Sequence, residues 1–313
     1  MNFPPRHLLT RIVTIYEQWD YLHHWIDEDA LFNDPSVAWI VCNDAPHSPC
    51  PPGLCAAICA RGASLLTPAF NLGRSEARNL GARAASSLWL EFIDGDDVPL
   101  PIDLDWLRSA PRDRLVHYPH RTYALIDEKV NPMSTLEPPN PFFWQIGLIR
   151  RLPVINCRPS CLIFPTEAFH AIGGFDGRYD TCEDLHLIWK FDRTAIGVTE
   201  GPAPKQLYRA TGGERCDPEV IGFYTHRLLR MGARQTGDLS DVIHTQADAQ
   251  ALRGIRALHT ELTKHYNASI SRHVDTLRDV SDLFWRARDT FLREYRPGFT
   301  LRFREALKIL FRH

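Results

Sequence analysis

The first 93 residues set four short apolar runs, RIVTIY (11–16), VAWIVC (37–42), ASLLT (63–67) and LWLEFI (88–93), against intervening segments of helical or turn composition. Strands and helices that alternate in this way form βα units around a mostly parallel sheet. The first helix is expected to carry Tyr21, Leu22, Trp25 and Ile26, and a second to span 75–87, with Ala77, Leu80, Ala84 and Ala85 on one face. The Pro-rich stretch 45–53 reads as a loop. The expected fold class is therefore α/β, a mixed and mostly parallel Rossmann-like sheet flanked by helices.

Regularity falls in the middle of the chain. LVHYPHRTYALI (115–126) predicts one or two strands, while the prolines of NPMSTLEPPNP (131–141) predict an irregular loop. SCLIFP (160–165) reads as a strand, with Thr166 as the N-cap of a helix through Ile172 that Gly173-Gly174 ends. A further helix is expected at 183–191 and a strand at 205–211. Beyond residue 216 helical periodicity takes over, for example Val274, Leu277, Val280, Phe284, Ala287, Phe291 and Tyr295. The expected organisation is an α/β domain at 1–216 and a C-terminal helical extension at 217–313.

Composition excludes several classes. With 44% hydrophobic residues the chain has ample material for a core, and a net charge of −2 provides no chain-wide basic field for coating nucleic acid. No apolar run approaches the roughly 18 residues of a membrane span, and the N-terminus lacks a secretory apolar region. A soluble, cytoplasmic protein is the expectation. Cys50, Cys55 and Cys59 cluster near Cys42, but their spacing matches no zinc template, and small buried or loop thiols are the favoured reading.

Two clusters carry chemistry. The apolar strand 88–93 opens directly into DGDD, which places Asp94, Asp96 and Asp97 at a strand end. Crowded carboxylates need neutralising, commonly by a hard divalent cation, and strand ends are where open α/β sheets bind ligands. The alternative is an acidic surface turn. The second cluster is GGFDGRYDTCED (173–184), where Glu183-Asp184 opens a helix. Those two carboxylates also suit helix capping alone.

Tyr16 after the first strand, Asp44 after the second, Asn71/Gly73, Ala77-Arg78-Asn79, Gly81, Asp94/Asp96/Asp97, Gly173-Gly174-Phe175-Asp176 and Glu183-Asp184 occur in that order. The ordered set, over residues 10–215, resembles the family 2 glycosyltransferases of the GT-A fold. The resemblance implies an inverting, hexosyltransferase-type enzyme that uses a nucleotide-sugar donor (UDP-, GDP- or dTDP-linked). It implies Mg²⁺ or Mn²⁺ held by Asp94 and Asp96, and Asp184, beside Glu183, as general base. Tyr16, Glu17, Asp44, Arg78, Asp94 and Arg209 are the implied donor-side residues. The chain departs from the family pattern at Thr14-Ile15-Tyr16-Glu17 and Asn43-Asp44-Ala45-Pro46, and carries His186 and Lys190 where Asp and Arg are common. It has no Q-x-x-R-W motif, which argues against a processive polymerase.

For the acceptor, a glycan or lipid-linked glycoconjugate of surface-polysaccharide type, Phe143 and Trp144 are the candidates, with burial in the core as the competing reading. Residues 285–313 hold eight basic and three acidic side chains, a local +5 interleaved with aromatics. Such a helix suits an anionic membrane surface, giving peripheral attachment at the inner face, or packing on its own domain or a partner. Two alternatives remain: a catalytically silent sugar-nucleotide-binding or scaffold protein, and a nucleotidyltransferase. The latter lacks its usual Gly-rich basic loop after the first strand.

Overall fold

A computed structural model of the chain describes residues 6–118, 122–126, 129–132, 159–179 and 181–209. All of these belong to one compact unit. The region 217–313, with its basic segment, and the pair Phe143 and Trp144 lie outside the described residues.

A seven-stranded sheet forms the centre. Its strands are β1 (His7–Ile15), β2 (Val37–Asn43), β3 (Ser64–Leu66), β4 (Ser87–Asp94), β6 (Arg114–His117), β9 (Leu162–Pro165) and β10 (Gly197–Glu200). The order is β10-β6-β9-β4-β1-β2-β3, and every pairing is parallel except those of β9 with β4 and β6. This is the mixed, mostly parallel α/β sheet expected from the sequence. A second sheet joins β5 (Val98–Pro99), β11 (Gln206–Arg209), β7 (Thr122–Ile126) and β8 (Lys129–Pro132), in the order β5-β11-β7-β8. The helices are α1 (Trp19–Leu22), α2 (Asp29–Phe32), α3 (Pro52–Ala60), α4 (Arg74–Ala84), α5 (Leu104–Ser109), α6 (Thr166–Ala171) and α7 (Glu183–Asp192). Among the described residues no helix is long and apolar enough to cross a membrane.

Several boundaries differ from the sequence reading, each for a physical reason. β1 begins at His7 rather than Arg11, because Arg11 is not a strand end: its charge is buried and paired with Glu91 of β4 at 2.8 Å. The Pro-rich stretch after β2 yields to α3 at Pro52, since a proline in the first helical turn sacrifices no hydrogen bond. Pro132, expected in a loop, ends a strand; β8 is the edge of its sheet, where a missing N–H is tolerated. Thr166 is the first residue of α6 rather than its cap; Pro165 holds the cap position and no side chain bonds there.

β1 and β4 are buried along nearly their whole length, as expected of central strands covered on both faces. One cluster packs Val13, Ile15, Trp19, Trp25, Trp39 and Ile93; another packs Leu9, Trp89, Leu107, Tyr118 and Ile163. α4 lies close on the sheet because Gly81 has no side chain: a Cβ there would stand 2.4 Å from Ile12 Cγ2 and 3.1 Å from Cys42 Sγ. Gly81→Ala is therefore expected to lower unfolding free energy by about 1–3 kcal/mol through overpacking. Urea denaturation checks this, and a midpoint equal to wild type would show that the helix is free to move away from the sheet.

Candidate functional site

Strand register decides what meets at the sheet edge. Ile15 pairs with Asn43 and Thr14 with Asp94, so the chain leaving β1, β2 and β4 emerges at one level. From β1 the chain proceeds to β2 and β3 on one side, then returns to β4 on the other. The switch point so formed, beyond the carboxyl ends of β1 and β4, is where such sheets carry their ligand crevice. Gly95 lets the turn after β4 lie against β1, for a Cβ there would stand 2.9 Å from Thr14 O.

Asp44 leaves β2 buried. Its Oδ1 accepts from Leu72 N at 2.6 Å, its Oδ2 from Asn71 Nδ2 at 2.9 Å, and its N–H donates to Ile15 O at 2.8 Å. The Asn71 element of the sequence pattern thus holds the loop before α4 onto Asp44. Tyr16 is half exposed, with its ring centroid 6.1 Å from that of His47. Glu17 adopts a left-handed φ of 62° and meets His47 Nε2 through Oε1. His47 was not singled out in the sequence; only its proximity to Asp44 along the chain hinted at it.

Arg78 joins the two acidic clusters. From α4 its Nη2 donates to Asp94 Oδ1 at 2.6 Å and its Nη1 to Glu183 Oε1 at 2.8 Å. Its guanidinium lies over the Phe175 ring at 5.1 Å. Burial alone would lower the Arg78 pKa, but Asp94 and Glu183 outweigh it and hold the group above its usual value. Glu183 is the first residue of α7 and is buried; Arg74 Nη1 stands 3.9 Å from it. Asp184, beside it, is half-buried, and its Oδ1 accepts from Leu185 N at 2.7 Å. Cys182, ahead of the helix, has a φ of 61°.

The start of the second cluster is pinned from α4. Asn79 Oδ1 accepts from Phe175 N and its Nδ2 donates to Phe175 O, both at 2.9 Å. Gly174, at φ 61°, leaves room for that amide, since a Cβ would stand 2.5 Å from Asn79 Oδ1. Asp176 receives Arg178 Nε at 2.9 Å and Nη2 at 2.8 Å. Burial acts to raise its pKa, but these bonds outweigh burial and hold the carboxyl below its ordinary value. Two of the departures from the family pattern serve this segment as well. His186 stacks against Tyr179, and Lys190 Nζ donates to Gly174 O.

The remaining carboxylates of DGDD face β11. Asp96 is 1% exposed, and its Oδ2 accepts from Arg209 Nε at 2.9 Å. Arg209 Nη1 also donates to Tyr21 Oη, and its guanidinium lies 4.6 Å from the Tyr21 ring centroid. Asp97 accepts from Gln206 Nε2 at 2.8 Å and from Arg209 N at 3.2 Å. The crowding expected to require a cation is met in part within the chain, by Arg78, Arg209 and Gln206. Sequence reasoning overlooked Tyr21 and Gln206, whose roles depend on contacts 188 and 109 residues apart.

Among the described residues no three His, Cys, Asp or Glu side chains form a metal cage. Mg²⁺ and similar hard ions are commonly bound by one or two carboxylates together with substrate phosphates and water. Asp94, 36% exposed, and the buried Asp96, whose Oδ2 meets Arg209, are the carboxylates that would offer oxygens to a divalent ion arriving with a diphosphate.

No family model matches the chain, and no curated protein matches it. Solved structures do. S. aureus TarS residues 1–349 in complex with UDP-GlcNAc is 14% identical, with a TM-score of 0.51, over 97% of this chain and 89% of that one. Mannosyltransferase PcManGT from Pyrobaculum calidifontis, in complex with GDP-Man and Mn²⁺, is 14% identical, with a TM-score of 0.50, over 99% and 88%. A longer S. aureus TarS chain is 12% identical, with a TM-score of 0.51, and 54% of it is spanned. The fold is that of the GT-A glycosyltransferases.

Arg78→Met leaves Asp94 and buried Glu183 facing each other with no shared cation, and is expected to reduce unfolding free energy by about 3–5 kcal/mol. Arg78→Lys is expected to restore only a minor part, because one ammonium replaces a fork that reaches both carboxylates. Chemical denaturation of both variants checks this; wild-type stability in Arg78→Met would remove the bridge from the account.

Proposed function

We propose that this chain is a glycosyltransferase that moves a sugar from a nucleotide-sugar donor to an acceptor hydroxyl with inversion. The observation that carries the reading is the Arg78 bridge, which ties Asp94 to Glu183, the neighbour of Asp184. UDP- and GDP-linked sugars are the first donors to consider, because TarS and PcManGT are solved with UDP-GlcNAc and GDP-Man; dTDP-linked donors belong to the same class.

In this reading Asp44 and Tyr16, with Glu17 beside them, bind and orient the nucleoside, and Arg78 and Arg209 lie on the diphosphate side. A divalent Mg²⁺ or Mn²⁺ held by Asp94 and Asp96 would supply Lewis-acid stabilisation of the diphosphate. Asp184 takes the proton of the acceptor hydroxyl as its oxygen bonds to the anomeric carbon. The bond from that carbon to the diphosphate breaks on the opposite face, and the nucleoside diphosphate leaves. Glu183 holds Arg78 in place. A glycan or lipid-linked acceptor reached through Phe143 and Trp144, and attachment to a membrane through the +5 segment 285–313, belong to the same proposal.

Asp184→Asn is expected to slow release of nucleoside diphosphate from the accepted donor by about 10²–10⁴-fold, the range for a lost general base. Donor binding, followed by the donor-induced rise in melting temperature, is expected to survive. Full turnover in Asp184→Asn would sink the base assignment.

A further inference from the structure

A buried chain of alternating charge runs from the core of the central sheet to Asp96. Arg11 Nε lies 2.8 Å from Glu91 Oε2, and Lys205 Nζ donates to Glu91 Oε1 at 3.1 Å. The same ammonium donates to Gln206 Oε1 at 2.9 Å, and Gln206 Nε2 donates to Asp97 Oδ2 at 2.8 Å. Asp97 Oδ1 accepts Arg209 N at 3.2 Å, and Arg209 Nε reaches Asp96 Oδ2 at 2.9 Å. Arg11, Glu91, Lys205, Gln206, Asp97 and Asp96 are each no more than 3% exposed. Such a chain is costly unless every member is satisfied.

Gln206 is its only uncharged link, and its amide has one workable orientation. The carbonyl faces an ammonium and the amino group faces a carboxylate; a flip would set donor against donor and acceptor against acceptor. Gln206 therefore fixes which way Asp97 is held, and Asp97 accepts from the backbone N–H of Arg209, a residue that also pairs with Tyr123 of β7. We propose that Gln206 is a positioning residue that, through Asp97, sets Arg209 against Asp96 at the diphosphate end of the crevice. The catalytic consequence rests on the glycosyl-transfer reading above; the positioning itself does not.

The test uses Q206E, D97N and the double variant D97N/Q206E in the full chain. Q206E sets two carboxylates together, and D97N presents an amino group to the Gln206 amino group. The double variant reverses the donor and acceptor while Lys205 and Arg209 N keep their partners. The first readout is the ¹⁵N–¹H resonance of the Arg209 Nε–H, assigned with Arg209→Lys. The second is kcat and donor KM for nucleoside diphosphate release. Each single variant is expected to shift or broaden the Arg209 resonance and to lower kcat on the order of tenfold to a hundredfold, with a smaller change in KM. The double variant is expected to restore both. If Q206E does not fold, D97N and its rescue by Q206E decide the matter without added charge. An unchanged Arg209 resonance and kcat in a folded single variant, or a double variant no better than the singles, overturns the proposal. If wild type releases no nucleoside diphosphate, the functional reading fails and the Arg209 resonance alone decides the positioning claim.

Discussion

One guanidinium holds the site together. Asp94 ends a central strand and Glu183 opens a helix 89 residues later; the two meet because Arg78 donates to both, at 2.6 and 2.8 Å. A carboxylate as buried as Glu183 requires a paired cation, and Arg78 is placed to supply one only because α4 packs tightly on β1 and β2 through Gly81. The bridge depends on the sheet, and through Glu183 it ties the start of α7 to α4. Asn79, one residue on, fixes Phe175 from the same helix, so α4 holds both Phe175 and Glu183.

The acidic turn after β4 divides its labour. Asp94 keeps part of its surface exposed, Asp96 meets Arg209, and Asp97 is an interior anchor for β11. Repulsion among the three is relieved by arginines and an amide on other elements. The strand end is consequently an array of fixed charges, in which Arg78 and Arg209 face Asp94, Asp96, Asp97 and Glu183. Under the proposed function, donor phosphates would meet arginines already oriented, and the carboxylates would face them through a divalent cation.

Much of this was legible in the sequence where the signal is local. The apolar runs that became β1 to β4, the DGDD turn and the Glu-Asp helix start were all readable from neighbouring residues, and the α/β sheet followed from their alternation. Long-range contacts were not readable. Arg11 and Glu91 sit within apolar strands, a mismatch that signals a buried pair, but nothing nearby names Lys205 as their third member. Tyr21 read as one face of a helix and became a partner of Arg209. Pro52 and Pro132 read as breakers, because whether a missing N–H matters depends on helix position and sheet edge, which are settled only in the assembled fold.

Ligand-dependent melting of the wild-type protein and Asp96→Ala, across UDP-, GDP-, CMP- and dTDP-sugars with and without Mn²⁺, addresses whether this charge array receives a nucleotide sugar. A ligand selective for the native state raises its melting temperature by mass action. The expected result is a rise with one nucleotide class, larger with Mn²⁺, and lost in Asp96→Ala. No rise with any sugar nucleotide, or an undiminished rise in Asp96→Ala, would contradict the assignment of the crevice as a donor site.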